Sequence, residues 1–444
     1  MQRESTAFGC ARRLGAGVLL LLAGGCAIAP TEKRHSPEEI ARYSSADFAA
    51  PIASEAGERE VFDEAGRTIR DALALGTADD AEARIPDALS AVAFFNRDLE
   101  AGRVILLNAL PGLAARPPAY QRGVLSVAHQ LYFRDAAPWM RSLLSEIATP
   151  REFAIAAYTL LRAEDDAATR AFIRDRMVMR FADPATEPRL VALQDRLATD
   201  PRTHAARRPP LAELFAAPLR AGHPVIFSVQ RPGRNVFGLA LVRGADGRFA
   251  RDADGSLFAQ PMLARATTEL PGTITNGHTP RGVFTIVGAG TATNKWIGPT
   301  PYLHSKIPVE ATVAEYEHAE VQAEWDEARY ASFLPPSWRD YFPMKEAWLA
   351  GRAGRDDMIL HGTTINSGYY TGASYYPGTP SAGCLVSMET WSKADGRQMS
   401  SDQLTLAKVF TREGKDRGYL VVVEIDEGPG PVRLDEVVPY LPRE

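Results

Sequence analysis

The chain has 444 residues, which is enough for two folded domains. Its 50 lysines and arginines are outnumbered by 55 aspartates and glutamates, so the formal net charge is −5. This acidic balance argues against nucleic acid or an anionic membrane face as the main partner. Beyond the N-terminal leader, no apolar run is long enough to span a bilayer as a helix.

Residues 1–25 have the pattern of an export signal peptide. A basic pair, Arg12 and Arg13, precedes a short apolar stretch centred on residues 18–22, and small residues follow it. The stretch is too short to cross a membrane as a helix. Removing the leader takes away three arginines and one glutamate, which leaves a formal charge of −7 on the mature chain.

The end of this leader, Leu22-Ala23-Gly24-Gly25-Cys26, resembles the lipobox of bacterial lipoproteins. The resemblance implies that Cys26 becomes the acylated first residue of the mature chain. Ala27 is not the aspartate that marks inner-membrane retention in enteric bacteria. The resemblance therefore implies a periplasmic protein of the cell envelope, attached by lipid alone and held at the outer membrane.

The next two segments differ in composition and in the spacing of their apolar residues. Residues 26–54 are polar and interrupted by prolines, which predicts a flexible tether. Residues 55–205 carry apolar side chains at helical spacing between proline breaks, which predicts an all-α accessory domain with candidate partners among cell-envelope proteins. The apolar stripes are Phe62, Ala65, Ile69 and Leu73; Met140, Leu143, Leu144 and Ile147; and Ile173, Met177 and Phe181.

Residues 215–430 read as a mixed β domain, and 431–444 as a C-terminal tail. Strands are predicted over 225–229, 236–243, 248–251, 282–287, 358–361 and 419–425. Residues 309–351 turn helical again and are rich in aromatic residues, which predicts an insertion packed over the sheet, with a substrate-facing lid as the alternative. The basic residues Arg281, Lys295, Lys306 and Arg355 are predicted to be solvated surface charges, with pairing to substrate carboxylates as the alternative.

The chemistry of the chain centres on Cys384, the one cysteine outside the leader and lipobox. A lone thiol in an exported protein has no intramolecular disulfide partner, which favours a reactive role. A thiol nucleophile needs a base to take its proton, and His361 in the run His361-Gly362-Thr363 is the candidate. The alternative is that Cys384 is an inert buried cysteine, as many cysteines are.

Three segments resemble one family in the same order. Thr279-Pro280-Arg281-Gly282-Val283-Phe284-Thr285-Ile286, Ile359-Leu360-His361-Gly362-Thr363 and Ser381-Ala382-Gly383-Cys384 resemble the strand, the His-Gly-Thr turn and the nucleophile loop of L,D-transpeptidases of the YkuD type. The expected fold class is therefore multidomain α+β. A helical N-terminal domain precedes a mixed β domain of this type, which carries a helical insertion.

The resemblance implies a cysteine-dependent acyl transfer on peptidoglycan stem peptides. Cys384 is the expected nucleophile and His361 the general base. The Gly383 N–H is expected to donate to the oxyanion and Ser381 to orient the loop. Gly362, Thr363, Tyr302 and His304 are expected along the substrate cleft. The resemblance implies that no metal or organic cofactor is needed. The eight histidines also lack the close spacing of a zinc-binding helix, which disfavours a metallopeptidase.

Two residues depart from the family pattern. Ala382 stands where a second histidine is usual, and Val386 where an arginine or asparagine is usual. These departures leave two alternatives open. Water could replace the amine acceptor, which gives an L,D-carboxypeptidase or an amidase. The domain could also be catalytically degenerate and bind peptidoglycan as a scaffold.

Overall fold

The computed structural model describes residues 33–75 and 84–443. Within these residues the chain forms sixteen α-helices and eleven β-strands. The predicted signal peptide and Cys26 lie outside the described residues. No helix in the described ranges combines the length and apolar character needed to cross a membrane.

The helices, in chain order, are α1 Pro37–Arg42, α2 Glu55–Leu75, α3 Arg84–Phe95, α4 Leu99–Ala109, α5 Pro118–Leu131, α6 Phe133–Glu146, α7 Pro150–Ala163, α8 Ala167–Arg180, α9 Pro188–Ala198, α10 Pro201–Ala206, α11 Leu211–Ala216, α12 Val313–Glu317, α13 Glu327–Ala331, α14 Glu346–Arg352, α15 Asp402–Thr411 and α16 Leu434–Val437. The strands are β1 Arg34–His35, β2 Val225–Gln230, β3 Gly238–Arg243, β4 Gln260–Met262, β5 Gly282–Gly290, β6 Tyr302–Lys306, β7 Leu360–His361, β8 Leu385–Val386, β9 Glu389–Trp391, β10 Gln398–Ser401 and β11 Gly418–Glu424.

The N-terminal half is helical from α2 to α10. Helix α2 packs on α3, α3 on α5, and α5, α6, α8 and α9 pack on α7. The predicted stripe on α6 is buried as expected. In the α2 stripe Leu73 is exposed and Phe62 is partly buried, and their neighbours Ala72 and Val61 are buried instead. Leu270, Ile274 and Trp296 from the second half complete the helical core, so the two halves share packed surface.

The C-terminal half is built on one mixed sheet in the order β4-β3-β2-β11-β5-β6-β7-β8, with β1 also paired to β5. Strands β2, β3 and β11 are long apolar runs and are buried along nearly their whole length, because helices and loops cover both faces of the sheet. The predicted hairpin after β3 is reduced to a single bridge, and β4 pairs with β3 beyond it.

The aromatic side chains of residues 309–351 pack against the sheet. The Tyr316 hydroxyl donates to the Val283 carbonyl at 2.7 Å, and the Val283 N–H donates to the Tyr330 hydroxyl at 3.2 Å. Both rings and that of Trp338 are fully buried. These contacts tie the insertion to β5 rather than leaving it over an open cleft.

The prediction of a flexible tether requires correction, and the predicted C-terminal tail is also packed in part. Within the tether predicted over 26–54, residues 33–54 are packed: β1 pairs with β5, and Ile40 of α1 lies in the sheet core. A capping box of Ser36 and Glu39 starts α1, which the proline-rich composition obscured. In the predicted tail, the buried Val437 joins the same core, and the carboxylate of Glu436 binds Arg231 at 2.7 Å.

Candidate active site

The sheet register brings the predicted site residues onto one face. Leu303, Leu360 and Leu385 are paired across β6, β7 and β8 and enter the main core. Because successive side chains on a strand alternate between faces, the residues flanking these leucines point the other way. Those residues are Tyr302, His304, Ile359, His361, Cys384 and Val386.

His361 and Cys384 are therefore neighbours on parallel strands. In the β7–β8 ladder His361 pairs with Val386, and the Leu385 N–H donates to the Ile359 carbonyl at 3.0 Å. Cys384 lies two residues back from Val386 along its strand. With standard strand spacings, this diagonal is on the order of 8 Å between backbones, which an imidazole and a thiol can bridge.

The thiol itself is buried. Cys384 is 1% exposed and packs in a small apolar cluster with Ile297, Tyr302 and Ile359. Its Sγ donates to the Asp357 carbonyl at 3.6 Å. The structure therefore places the predicted nucleophile on this face, with its thiol donating to the Asp357 carbonyl.

His361 is arranged as a neutral base. Its Nδ1–H donates to the Gly362 carbonyl, and since a carbonyl only accepts, the lone pair is on Nε2. Nε2 is buried and has no hydrogen-bond partner among the described residues. Burial lowers the pKa of His361 to about 4, and the bond to Gly362 raises it by less. The imidazole is thus unprotonated near neutral pH and open to a proton.

The turn from Ser381 to Cys384 is held by hydrogen bonds of the Ser381 hydroxyl. The Gly383 N–H donates to Ser381 Oγ at 3.0 Å, and the Ser381 hydroxyl donates to the Cys384 carbonyl at 2.8 Å. Thr279 Oγ1 donates to the Gly383 carbonyl at 2.9 Å. Ser381 thus holds the turn. The Gly383 N–H, which is predicted to face an oxyanion, donates to Ser381 Oγ in this structure, and its role towards an oxyanion stays a prediction.

Arg355, predicted to be a surface charge, is buried and holds the neighbouring loop, residues 270–279, by hydrogen bonds. Its Nη1 donates to the carbonyls of Gly272 and His278, and its Nη2 donates to the Gly277 carbonyl at 2.6 Å. The loop that it holds carries Thr279, which in turn binds the Cys384 loop. Sequence reasoning missed this role because the arginine and the three carbonyls are about 80 residues apart.

Arg281 is also not a solvated charge. It forms ion pairs with Glu346 at 2.9 Å and with Glu424 at 3.0 Å. Arg355 and Arg281 are thus two of the four predicted surface charges that the structure places in networks of hydrogen bonds or ion pairs. The guanidinium group of Arg281 is partly buried, and such groups are paired because an isolated charge is costly away from water.

Glu389 lies directly behind the His-Gly-Thr turn. A side chain at Gly362 would overlap with its carboxylate, so glycine is required there for space. Ser401 Oγ donates to Glu389 Oε1 at 2.6 Å, whereas Oε2 is buried without a hydrogen-bond partner among the described residues. Burial raises the pKa of Glu389 to about 7, against the lowering effect of its hydrogen bonds. No sequence signal pointed to this residue.

We expect Glu389→Gln to stabilise the protein at neutral and alkaline pH. A raised carboxyl pKa contributes stability that is complete below its ordinary value of 4.5 and is lost as the pH rises to about 7. Relative to the near-isosteric glutamine, the native chain should lose about 3 kcal/mol across that window. Urea unfolding of both proteins at several pH values measures it, and a pH-independent difference would contradict the expectation.

A cleft of about 410 Å³ opens beside the two motifs. Thr363, Thr379, Val386 and Glu389 line it, and its rim includes Ala53 and Glu58 from the N-terminal half, and Lys393. Glu58 forms an ion pair with Lys393 and accepts from Asn366 Nδ2 at 3.0 Å. The beginning of α2 thus forms part of the wall of this cleft, whereas His361 and Cys384 are not among the residues that line it.

The remaining predicted substrate residues divide into two groups. Thr363 lines the cleft, and Gly362 forms the turn that leads into it. Tyr302 is fully buried beside Cys384, and His304 is buried next to Glu310 and Asp357. The structure therefore does not bring the last two to the cleft wall, because β6 lies inside the sheet between β5 and β7.

Searches of protein-family models, of curated proteins and of solved structures find no match to this chain. The geometry of these residues is therefore the basis for assigning a function.

Proposed function

We propose that this chain is a cysteine-dependent L,D-transpeptidase acting on peptidoglycan stem peptides. The observation that supports it is the placement of His361 and Cys384 on one face of adjacent parallel strands, with the lone pair of a neutral imidazole on Nε2. A thiol and a base in this relation are the minimum for nucleophilic acyl transfer. The three sequence motifs add the family resemblance and, through it, the substrate.

The proposed reaction begins when the Cys384 thiol leaves the Asp357 carbonyl and turns towards His361. Nε2 takes the thiol proton while Sγ attacks the carbonyl that joins the diamino acid to the terminal D-alanine. The tetrahedral intermediate collapses, D-alanine leaves as an amine with the proton from His361, and a thioester remains. An acceptor amine then attacks the thioester, restores the thiol and forms the new peptide bond.

The oxyanion of that intermediate would form at the Ser381–Cys384 turn. Because Ser381 Oγ accepts from the Gly383 N–H in the structure, the oxyanion must compete with this hydroxyl for the same donor.

The proposal is tested by intact-protein mass spectrometry of the chain incubated with purified tetrapeptide muropeptides. We expect an adduct equal in mass to the donor without its D-alanine, removed by hydroxylamine as a thioester is. With an acceptor peptide present, a cross-linked product should appear. A shortened peptide alone would indicate the carboxypeptidase alternative. Folded protein that forms no adduct and releases no D-alanine would contradict acyl transfer.

The burial of Cys384 favours a second candidate, a peptidoglycan-binding scaffold without turnover. Thiol alkylation near neutral pH distinguishes the two. An activated cysteine reacts quickly and is protected by muropeptide, whereas an inert buried cysteine reacts only when the protein unfolds.

The neutral state of His361 predicts an unusual pH profile. Since the pKa of His361 is about 4, the base form is already present at pH 5 to 6. We expect kcat/KM for D-alanine release to rise through about pH 4 and not through the ordinary histidine value of 6.5. His361→Gln should lower the rate about 100-fold or more. A rise centred near 6.5 would count against His361 as the base in this environment.

A further inference from the structure

A second cluster of polar side chains lies close to Cys384, and it has no part in the proposed acyl transfer. His304 of β6, Glu310 in the turn after β6 and Asp357 ahead of β7 each direct one donor atom to a common point. These three atoms all lie within 4.8 Å of one another. The backbone carbonyl of Asp357 is the group that accepts from the Cys384 thiol.

His304 is the decisive member of this cluster. It is 6% exposed, and neither ring nitrogen has a hydrogen-bond partner among the described residues. Buried polar atoms without partners are rare because each loses its bonds to water and gains nothing in return. Burial lowers the pKa of His304 to about 4, so the ring is neutral and has a lone pair to offer.

Glu310 is fixed in position by the backbone. Its Oε2 accepts from the Ile307 N–H at 3.0 Å, and its Oε1 accepts from the Asp357 N–H at 3.1 Å. Burial, followed by the charges of Asp357 and Asp356, acts to raise the pKa of Glu310, which is about 7. The carboxylates therefore repel one another, and a bound cation would remove that repulsion.

Two nearby cations weigh against metal binding. Arg34 and Lys306 both act to lower the pKa of His304, which shows that their charges reach the cluster. Lys306, however, forms an ion pair with Glu315 at 2.8 Å. Arg34 is therefore the main positive charge that a bound cation would have to oppose.

We propose that His304, Glu310 and Asp357 bind a divalent first-row transition metal of the Zn²⁺ class. One imidazole nitrogen and two carboxylate oxygens suit zinc, whereas Mg²⁺ and Ca²⁺ prefer all-oxygen sites. Movements on the order of 1 Å would bring the donors to the ~2.0–2.2 Å that zinc requires, with a coordination position left for water. The ion would link β6, its following turn and the segment that receives the Cys384 thiol.

This site is independent of the acyl-transfer proposal, and its test does not use activity. The full-length chain, purified in detergent and stripped with chelator, is dialysed against Zn²⁺ near neutral pH, and bound metal is measured by plasma mass spectrometry. We expect one equivalent of zinc and a rise in the melting temperature of the chain. His304→Ala and Glu310→Gln should each weaken binding about 100-fold and remove the thermal shift.

His204→Ala is the matched control, since His204 also pairs with a carboxylate, Asp195 at 2.9 Å, but lies outside the cluster. It should retain the zinc. Circular dichroism establishes that each variant is folded, and if His304→Ala is not, the near-isosteric Glu310→Gln decides. Folded native chain that binds no zinc, variants that bind as tightly as the native chain, or Mg²⁺ bound as tightly as Zn²⁺ would each overturn the proposal.

Discussion

Cys384→Ala is expected to reduce release of D-alanine from tetrapeptide muropeptides by at least about 1,000-fold. Without Sγ no thioester can form, and the neighbouring groups have no substitute nucleophile to offer. The fold should survive, because the change removes one sulfur from a small apolar cluster and a weak donor from the Asp357 carbonyl. We expect a loss of only about 1–2 kcal/mol in the free energy of unfolding.

Two measurements make this result interpretable. D-Alanine release is followed with a coupled assay, and unfolding by urea is measured on the same preparations. Cys384→Ser, which keeps nearly the same volume, should be as inactive as the alanine variant while matching the native stability more closely. Turnover retained in either folded variant would eliminate Cys384 as the nucleophile and with it the proposed reaction.

Gly383→Ala is expected to destabilise the protein by about 4 kcal/mol or more. Gly383 has a φ of 122°, a conformation that side chains rarely adopt. A Cβ there would overlap with Nη2 of Arg355 and lie 2.7 Å from the Gly277 carbonyl oxygen. Arg355 cannot move aside cheaply, because doing so would leave buried carbonyls without their donor.

Gly372→Ala provides the matched control for this change. Gly372 has a φ of 91°, but a Cβ there meets nothing within 4 Å. It should therefore cost only the backbone strain, about 1–2 kcal/mol. Urea unfolding of both variants separates the strain from the clash. Equal losses in the free energy of unfolding would mean that Arg355 and the loop at Gly277 move to accommodate the new side chain. That result would contradict a rigid loop around Cys384.

The helical half has a structural connection to the candidate site. Leu270 and Ile274 belong to the loop that Arg355 holds, and both are buried in the core of the helical half. Tyr370, in the loop between the two motifs, donates from its hydroxyl to the Phe94 carbonyl at 2.8 Å. The loop that Arg355 holds and the loop that carries Tyr370 therefore both contact the helical half. The predicted division into an accessory domain and a catalytic domain understates this shared packing.

The sequence by itself determined those features that depend on neighbours along the chain. The apolar period on α6 predicted its buried face, and the apolar runs at 225–229 and 419–425 predicted strands, which the structure shows to be buried along nearly their whole length. The motifs singled out His361 and Cys384, which the strand register then places on one face. Local spacing carries this information because helix and strand periods are properties of the backbone.

Only the tertiary structure decided what surrounds those residues. It directs the Cys384 thiol to the Asp357 carbonyl, commits the Gly383 N–H to Ser381 and places Glu389 behind Gly362. It also assembles His304, Glu310 and Asp357 from positions up to 53 residues apart. Burial, hydrogen-bond partners and pKa values depend on groups distant in sequence, and no periodicity along one chain encodes which distant groups will meet.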